Sequence, residues 1–220
     1  MITLQRQTVS DTLWDSLSVL MKMNLLQPFR LVGGTSLSLQ LGHRMSVDID
    51  LFTDATYGSI DFDQIDAMLQ TTFPTVEMGY GGNNSIGKCY YIGNSPEELV
   101  KLDFFYTDQF VFPVIQAEEI RLAGMAEVAA MKLEVISRGG RKKDFWDLHE
   151  LMEHFSLTEM VGFYEKRYPY SSLREEVITK ITSFDAANDD FDPICLRKKH
   201  WELIKLDLEE KVQMEFKRKV

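Results

Sequence analysis

The sequence predicts an α+β fold in two parts: an α+β domain over residues 1–115, built on a mixed β-sheet flanked by helices, and a helical domain over residues 116–220. Three observations predict it. Up to about residue 115, short apolar runs of strand type alternate with stretches of helical periodicity and are separated by turn residues. From about Ala117 the helical spacing is almost continuous. The 220 residues are 45% hydrophobic and 26% charged, an ordinary globular composition long enough to bury a core in one large domain or two small ones.

The elements follow in order. Over Asp11–Asn24, Leu13, Trp14, Leu17, Leu20 and Met21 fall at helical spacing behind Ser10, a good N-cap. Phe29–Val32 is a buried strand that ends on Gly33-Gly34. Thr35–Leu41 is a short helix stopped by Gly42, where a helix C-terminus favours glycine, and Asp48–Phe52 is the second strand. Ile60–Thr71 returns to helical spacing through Phe62, Ile65, Met68 and Leu69, with Asp61 near its start. After Pro74 come three strand runs, Thr75–Tyr80, Ile86–Ile92 and Leu99–Tyr106. Gly81-Gly82-Asn83-Asn84 joins the first two as a hairpin, and Gly93-Asn94-Ser95-Pro96 separates the second from the third.

The helical half begins with a long helix over Glu119–Arg138, broken at Gly139-Gly140. Asp144–Phe155 repeats an apolar face at Phe145, Leu148, Leu151, Met152 and Phe155. Further helices are expected at Leu157–Tyr168, Leu173–Thr182 and Trp201–Phe216. No internal repeat or low-complexity segment interrupts the chain.

Several function classes drop out on composition. No run approaches the roughly 18 uninterrupted apolar residues of a membrane span. The N-terminal MITLQRQTVSDTLWD lacks the apolar core of a signal peptide. Cys89 and Cys195 stand far apart in no metal-binding spacing, which fits a reducing, cytoplasmic location. A net charge of −10 argues against a broadly basic nucleic-acid surface. Arg138, Arg141, Lys142 and Lys143 form a local basic cluster, read either as a binding patch or as a solvated helix end. Arg197–His200 and Lys217–Lys219 are read as solvated ends and tails.

The chemistry concentrates in Leu31–Phe52, LVGGTSLSLQLGHRMSVDIDLF. Asp48 and Asp50 lie two apart on an apolar strand, so both carboxylates project from one face, opposite Ile49 and Leu51. Two like charges held together are costly unless a cation neutralises them, and magnesium (Mg2+) suits such oxygen donors. Gly33-Gly34 is either an ordinary tight turn or a strand-to-helix turn whose bare amides and helix dipole face a triphosphate. Thr35 or Ser36 would then cap the helix and touch a phosphate. Asp103, in Val100-Lys101-Leu102-Asp103-Phe104-Phe105, supplies a third carboxylate on another predicted strand. Three aspartates from adjacent strands can hold two magnesium ions, with Asp103 placed to activate an attacking hydroxyl. Taken alone, Asp103 also reads as a strand-end residue paired with a lysine.

Lys132 falls in a helix apolar on most sides, so its ammonium either snorkels to solvent or reaches an anionic ligand. Asp144 and Asp147 share a helix face; Asp144 also reads as an N-cap, and Asp147 as a structural partner of Lys143 or Arg141. His43 reads as a surface-loop residue, and Arg44 as a phosphate contact or a partner for one of the aspartates. Phe104, Phe105, Tyr106, Trp146 and Trp201 are assigned to the core.

The spacing hydrophobic–Gly–Gly, then Asp-Ile-Asp-Leu, resembles the signature of the DNA polymerase β-like nucleotidyltransferase superfamily. GGTSLSLQLGHRMSVDIDLF resembles more closely the AbiEii/AbiGii branch, the nucleotidyltransferase-like toxins of type IV toxin–antitoxin systems. AAMKLEVISRGGRKKDFWDLHEL is similar to that branch's second motif, a lysine on one helix followed by Lys-Asp-x-x-Asp-Leu on the next. The resemblance implies a nucleotidyltransferase-like mixed sheet, Gly33, Gly34 and Thr35 at the triphosphate, and Asp48 and Asp50 on metal. It makes Asp103 the third carboxylate and places Lys132 and Asp144 near the nucleotide. Thr35 stands where many superfamily members carry serine, a departure that keeps the hydroxyl.

The expected activity is magnesium-dependent transfer of an NMP from an NTP, bound between the two halves, to an acceptor hydroxyl. By resemblance the acceptor is a tRNA 3′ end, and the role is that of a toxin restrained by an antitoxin protein. Two alternatives stand beside it: transfer to a small molecule such as an aminoglycoside or to a protein hydroxyl, and a non-catalytic nucleotide-binding interaction module.

Overall fold

The computed structural model describes residues 2–81 and 85–217. The chain forms two compact units, Met1–Gly42 with Ser46–Ala123, and His43–Met45 with Gly124–Val220.

The first unit contains helices α1 (Asp11–Met21), α2 (Gly33–Leu41) and α3 (Phe62–Thr72) and strands β1 (Arg30–Leu31), β2 (Asp48–Thr53), β3 (Thr75–Met78), β4 (Gly87–Gly93), β5 (Leu99–Tyr106), β6 (Val114–Ala117) and β7 (Ile120–Ala123). Among the described residues the strands make one seven-stranded sheet in the order β3-β4-β5-β2-β1-β7-β6. It is mixed: β2 runs parallel to β5 and β1 to β7, while the other neighbours are antiparallel. Ser10 Oγ accepts the Leu13 N–H at 3.1 Å and starts α1, whose Leu13, Leu17 and Leu20 are buried against the sheet. Ile49 and Leu51 of β2 and Leu102 and Phe104 of β5 complete that core. Each such side chain stabilises the fold by about 1.5–3 kcal/mol relative to exposure.

Gly42 ends α2 in the left-handed region at φ 71° and donates to Ser38 O at 2.8 Å, as a C-terminal glycine should. Strand β5 has the predicted bounds, and β3 and β4 form the predicted hairpin with Val76 opposite Ile92. Residues 82–84 of its turn lie outside the described residues.

One stretch differs outright. The helix expected over Glu119–Arg138 begins as strand β7, paired antiparallel with β6, and α4 starts only at Met125. Glu118 and Glu119 make the turn at φ 47° and 67°, a conformation few non-glycine residues adopt. The Glu118 carboxylate is tied to Leu4 N at 3.3 Å and Arg6 Nη2 at 3.0 Å, which holds the turn. Leu122 pairs with Leu31 across the parallel β1–β7 ladder, and tertiary pairing of this kind overrides local helical periodicity. The sheet therefore continues beyond residue 115, and the first unit closes at Ala123.

The second unit holds α4 (Met125–Ser137), α5 (Lys142–Leu151), α6 (Leu157–Arg167), α7 (Arg174–Lys180), α8 (Asp185–Asn188) and α9 (Trp201–Val212). Ser156 and Glu159 cap α6 reciprocally: Glu159 Oε2 accepts the Ser156 N–H at 2.8 Å, and Ser156 Oγ accepts the Glu159 N–H at 3.2 Å. Trp146, Phe145, Phe184 and Trp201 pack together, with the two indoles nearly parallel at 6.3 Å. A fully buried Glu127–Arg167 ion pair at 2.5 Å links α4 to α6.

Candidate active site

Strand β2 alternates strictly. Ile49, Leu51 and Thr53 are buried on one face, and Asp48, Asp50 and Phe52 are half-buried on the other. The parallel register sets Asp48 beside Lys101 and Asp50 beside Asp103, and on the far side of β5 Cys89 of β4 stands opposite Asp103. Residues in lateral register project to one face of a sheet, so three aspartates, one lysine and one thiol share a single patch.

The glycine turn closes on this patch. Gly33 has φ 66°, and a β-carbon built on it would lie 2.7 Å from Asp50 Oδ2. No larger residue fits without displacing the carboxylate. Both glycines belong to the first turn of α2 rather than preceding it, so the N–H groups of that turn and the positive end of the helix dipole lie beside Asp50.

The hydroxyls behave differently from expectation. Thr35 is buried, and its Oγ1 is shared between Ser46 Oγ at 2.8 Å and the carbonyl of Asp48. Ser36 Oγ donates to Ala123 O at 2.9 Å. Neither side chain caps α2. Thr35 Oγ1 instead fastens the helix to the strand that carries the aspartates. The cause is the helix geometry: with Gly33 at the first helical position, position 35 turns inward.

Asp103 is 9% exposed. Lys101 Nζ donates to its Oδ2, whereas Oδ1 is buried without a conventional hydrogen-bond partner among the described residues. The Cys89 thiol beside it is a weak donor. That thiol is pushed up to about 11, first by burial and then by the Asp103 carboxylate. Lys101 is held above its ordinary value: partial burial opposes this, but Asp103 prevails, with Cys89 and Asp48 adding to it.

Among the described residues no three His, Cys, Asp or Glu side chains converge to hold a metal ion. The donor chemistry still fits magnesium, which is usually held by one or two carboxylates together with substrate phosphates and water. Asp48 and Asp50 meet that requirement, and the unsatisfied Oδ1 of Asp103 is the kind of buried atom that calls for a further partner.

The second motif forms a separate cluster inside the helical unit. Lys132 Nζ lies 2.6 Å from Asp144 Oδ1 and 2.7 Å from Asp147 Oδ2. Arg44 grips Asp147 with Nε at 2.6 Å and Nη2 at 2.8 Å, and His43 Nε2 is 2.8 Å from Asp147 Oδ1. Asp144 Oδ2 accepts the Arg141 N–H at 2.9 Å at the start of α5. Burial alone would raise the Asp147 carboxyl, but Arg44 and Lys132 outweigh it and hold it well below the usual carboxylate range. Lys132 and Asp144 thus face each other. Asp147 is the hub for Arg44, His43 and Lys132, and His43 is buried rather than on a surface loop.

Residues 16–215 match the sequence model of the AbiEii nucleotidyl transferase toxins of type IV toxin–antitoxin systems. The chain belongs to the AbiEii family. As a member it is a nucleotidyltransferase, and the family implies nucleotide substrates and an antitoxin partner. An uncharacterized protein of Aquifex aeolicus (strain VF5) is 26% identical over 220 residues, 94% of this chain and 93% of the relative. MenT4, a nucleotidyltransferase toxin of Mycobacterium tuberculosis H37Rv, has a similar fold at a TM-score of 0.60 and 13% identity, covering 90% of this chain and 82% of its own. A putative nucleotidyltransferase from H. pylori aligns at a TM-score of 0.58 and 19% identity, covering 91% and 92%. These likenesses show a shared nucleotidyltransferase-like α+β fold.

In this AbiEii chain the basic clusters are largely neutralised from within. Arg141 pairs with Asp190 at 3.1 Å, Lys142 with Asp192 at 2.9 Å, and Lys199 with Glu150 at 2.7 Å. Of the tail cluster Lys217–Lys219, residues 218 and 219 lie outside the described residues. No helix among the described residues is long and apolar enough to cross a membrane. The lysine partner that the alternative reading gave Asp103 is Lys101, while the place of Cys89 in the patch was not foreseen. For Lys101 the signal was present, since a residue two before Asp103 on a strand must share its face.

Proposed function

We propose that this AbiEii protein transfers an NMP from a magnesium–NTP complex to an acceptor hydroxyl, with the D-x-D carboxylates at the reacting phosphate. The observation that carries this reading is the approach of Gly33 to Asp50: a glycine-cleared helix N-terminus directly beside two carboxylates on one strand face, with Asp103 in register. Asp48 and Asp50 would hold magnesium, which supplies Lewis-acid polarisation of the phosphoryl oxygens when bound. The first-turn N–H groups of Gly33, Gly34 and Thr35 receive phosphate oxygens at the positive end of α2. Asp103 accepts the proton of the acceptor hydroxyl, which attacks the α-phosphate and expels pyrophosphate; a positioned base of this kind contributes roughly 10²–10⁴-fold. Lys132 and Asp144 act as a buried pair that shapes the helical unit.

The acceptor in this reading is a tRNA 3′ end, and the product of transfer restrains growth until an antitoxin intervenes, a role in keeping with the toxin family. A second reading, transfer to a small cationic molecule such as an aminoglycoside or to a protein hydroxyl, is favoured by the −10 net charge and the internally paired basic residues. The non-catalytic reading is disfavoured because Asp48, Asp50 and Asp103 are all present on one face.

The test is incubation with each α-labelled NTP and magnesium, separately with total RNA, aminoglycosides and protein, beside a folded Asp48→Ala/Asp50→Ala variant. Label transfer to RNA that vanishes in the variant supports the first reading. Absence of NTP binding and of labelling on every acceptor refutes enzymatic transfer.

A further inference from the structure

The acidic patch already contains a cation of its own. Lys101 stands beside Asp48 in the β2–β5 register and donates to Asp103 Oδ2, so an ammonium lies within the face that carries the three carboxylates. Its side chain is 37% exposed, whereas that of Asp103 is 12% exposed, so the ammonium sits at the rim with the carboxylate beneath it. Lys101 engages only one oxygen of Asp103: Oδ1 is buried with no donor near it but the weak Cys89 thiol among the described residues. The three aspartates share a face, yet no three acidic groups converge to hold a metal ion among the described residues. Lys101 supplies positive charge at this face and engages one oxygen of Asp103.

We propose that Lys101 is a positioning residue that stands in for the divalent cation in the nucleotide-free enzyme and surrenders Asp103 when the metal–nucleotide arrives. The proposal rests on the reading of Asp48 and Asp50 as the metal-holding carboxylates, with Asp103 in register beside them. A lysine is suited to the exchange because its ammonium is a compact point charge on a flexible four-carbon stem, free to leave one carboxylate for a phosphate oxygen. While it holds Asp103, a divalent ion must compete with it, and the two cations are negatively coupled. Once displaced, the same ammonium lies beside Asp48, where the triphosphate would rest against the carboxylate-bound metal.

Direct Mn2+ binding, read by the loss of the free-ion EPR signal without nucleotide, tests this on wild type, Lys101→Gln and Lys101→Arg, each checked for folding by circular dichroism. Lys101→Gln should bind Mn2+ roughly tenfold more tightly, within the usual range of coupling between two sites, and should raise the KM for NTP. Lys101→Arg should stay near wild type in Mn2+ affinity. If Lys101→Gln raises only the KM with Mn2+ affinity unchanged, Lys101 is merely a triphosphate contact and the proposal fails. If the variant loses stability with no change in Mn2+ affinity, the role is structural and the proposal fails equally. The underlying reading is checked separately: Asp48→Ala/Asp50→Ala must abolish Mn2+ binding, and if it does not, the carboxylate site itself is wrong.

Discussion

Gly33 and Asp50 are packed so closely that a β-carbon on the glycine would fall 2.7 Å from Asp50 Oδ2, with the glycine at φ 66°. Two independent constraints, backbone conformation and side-chain room, therefore act at one residue. Gly33→Ala should cost about 1–2 kcal/mol of stability from the left-handed backbone. It should lower NMP transfer at least tenfold by displacing Asp50, since small misplacements of reacting groups are expensive. A thermal melt and a labelled-NTP assay check both, and a Gly33→Ala enzyme with the wild-type rate would refute the role given to this contact.

Asp147 predicts an acid-sensitive helical unit. Its folded value is depressed, so its stabilisation is present above the unfolded value of about 3.9 and is lost as pH falls through the folded one. Asp147→Asn leaves Arg44 and Lys132 facing an uncharged amide in a buried site, which costs about 3–5 kcal/mol at pH 7. Urea denaturation between pH 7 and 3 should show a steep loss for wild type below pH 4 and a flatter profile for the variant. Equal slopes would show that Asp147 is not the group responsible.

Asp103 and Cys89 report on each other. With the thiol pushed up to about 11, only roughly a thousandth is thiolate at pH 8, so iodoacetamide should react slowly with Cys89. Asp103→Asn removes a charge that raises the thiol value, so alkylation in a Cys195→Ser background should quicken. The same variant should lose NMP transfer by about 10²–10⁴-fold. Mass spectrometry of the labelled peptide gives the first rate; an unchanged rate would mean the two side chains do not interact in solution.

Arg121 is a further point of weakness. Its guanidinium donates to Met21 O at 2.8 Å, Leu26 O at 2.9 Å and Phe29 O at 2.9 Å, tying β7 to the segment between α1 and β1. Arg121→Ala should destabilise the first unit by about 2–4 kcal/mol, and Arg121→Lys should recover little, because an ammonium cannot reproduce the planar fork. Thermal denaturation of the three proteins decides this, and full recovery by lysine would contradict it.

Much of the site was legible in the order of residues. The period of two put Asp48 and Asp50 on one face, Gly42 announced the end of α2, and the apolar neighbours of Asp103 marked β5. The β6–β7 hairpin was not legible, because EEIRLAGMAEVAAM satisfies a helical period as well as a strand followed by a helix. Only the partner strand β1 chooses between them. The direction of the Thr35 hydroxyl was hidden for a related reason: it depends on where α2 begins relative to β2.

What the sequence determined by itself was local: which residues alternate, which turn and which cap, and hence which carboxylates share a strand face. Tertiary structure alone decided the partners. It set Asp103 beside Asp50 through the β2–β5 register, gave Asp103 to Lys101, and gave Asp147 to Arg44 across 103 positions of chain. Backbone periodicity is a property of neighbouring residues and can be read from order alone. The pairing of charges depends on which strands and helices meet, and that is settled only when the whole core packs.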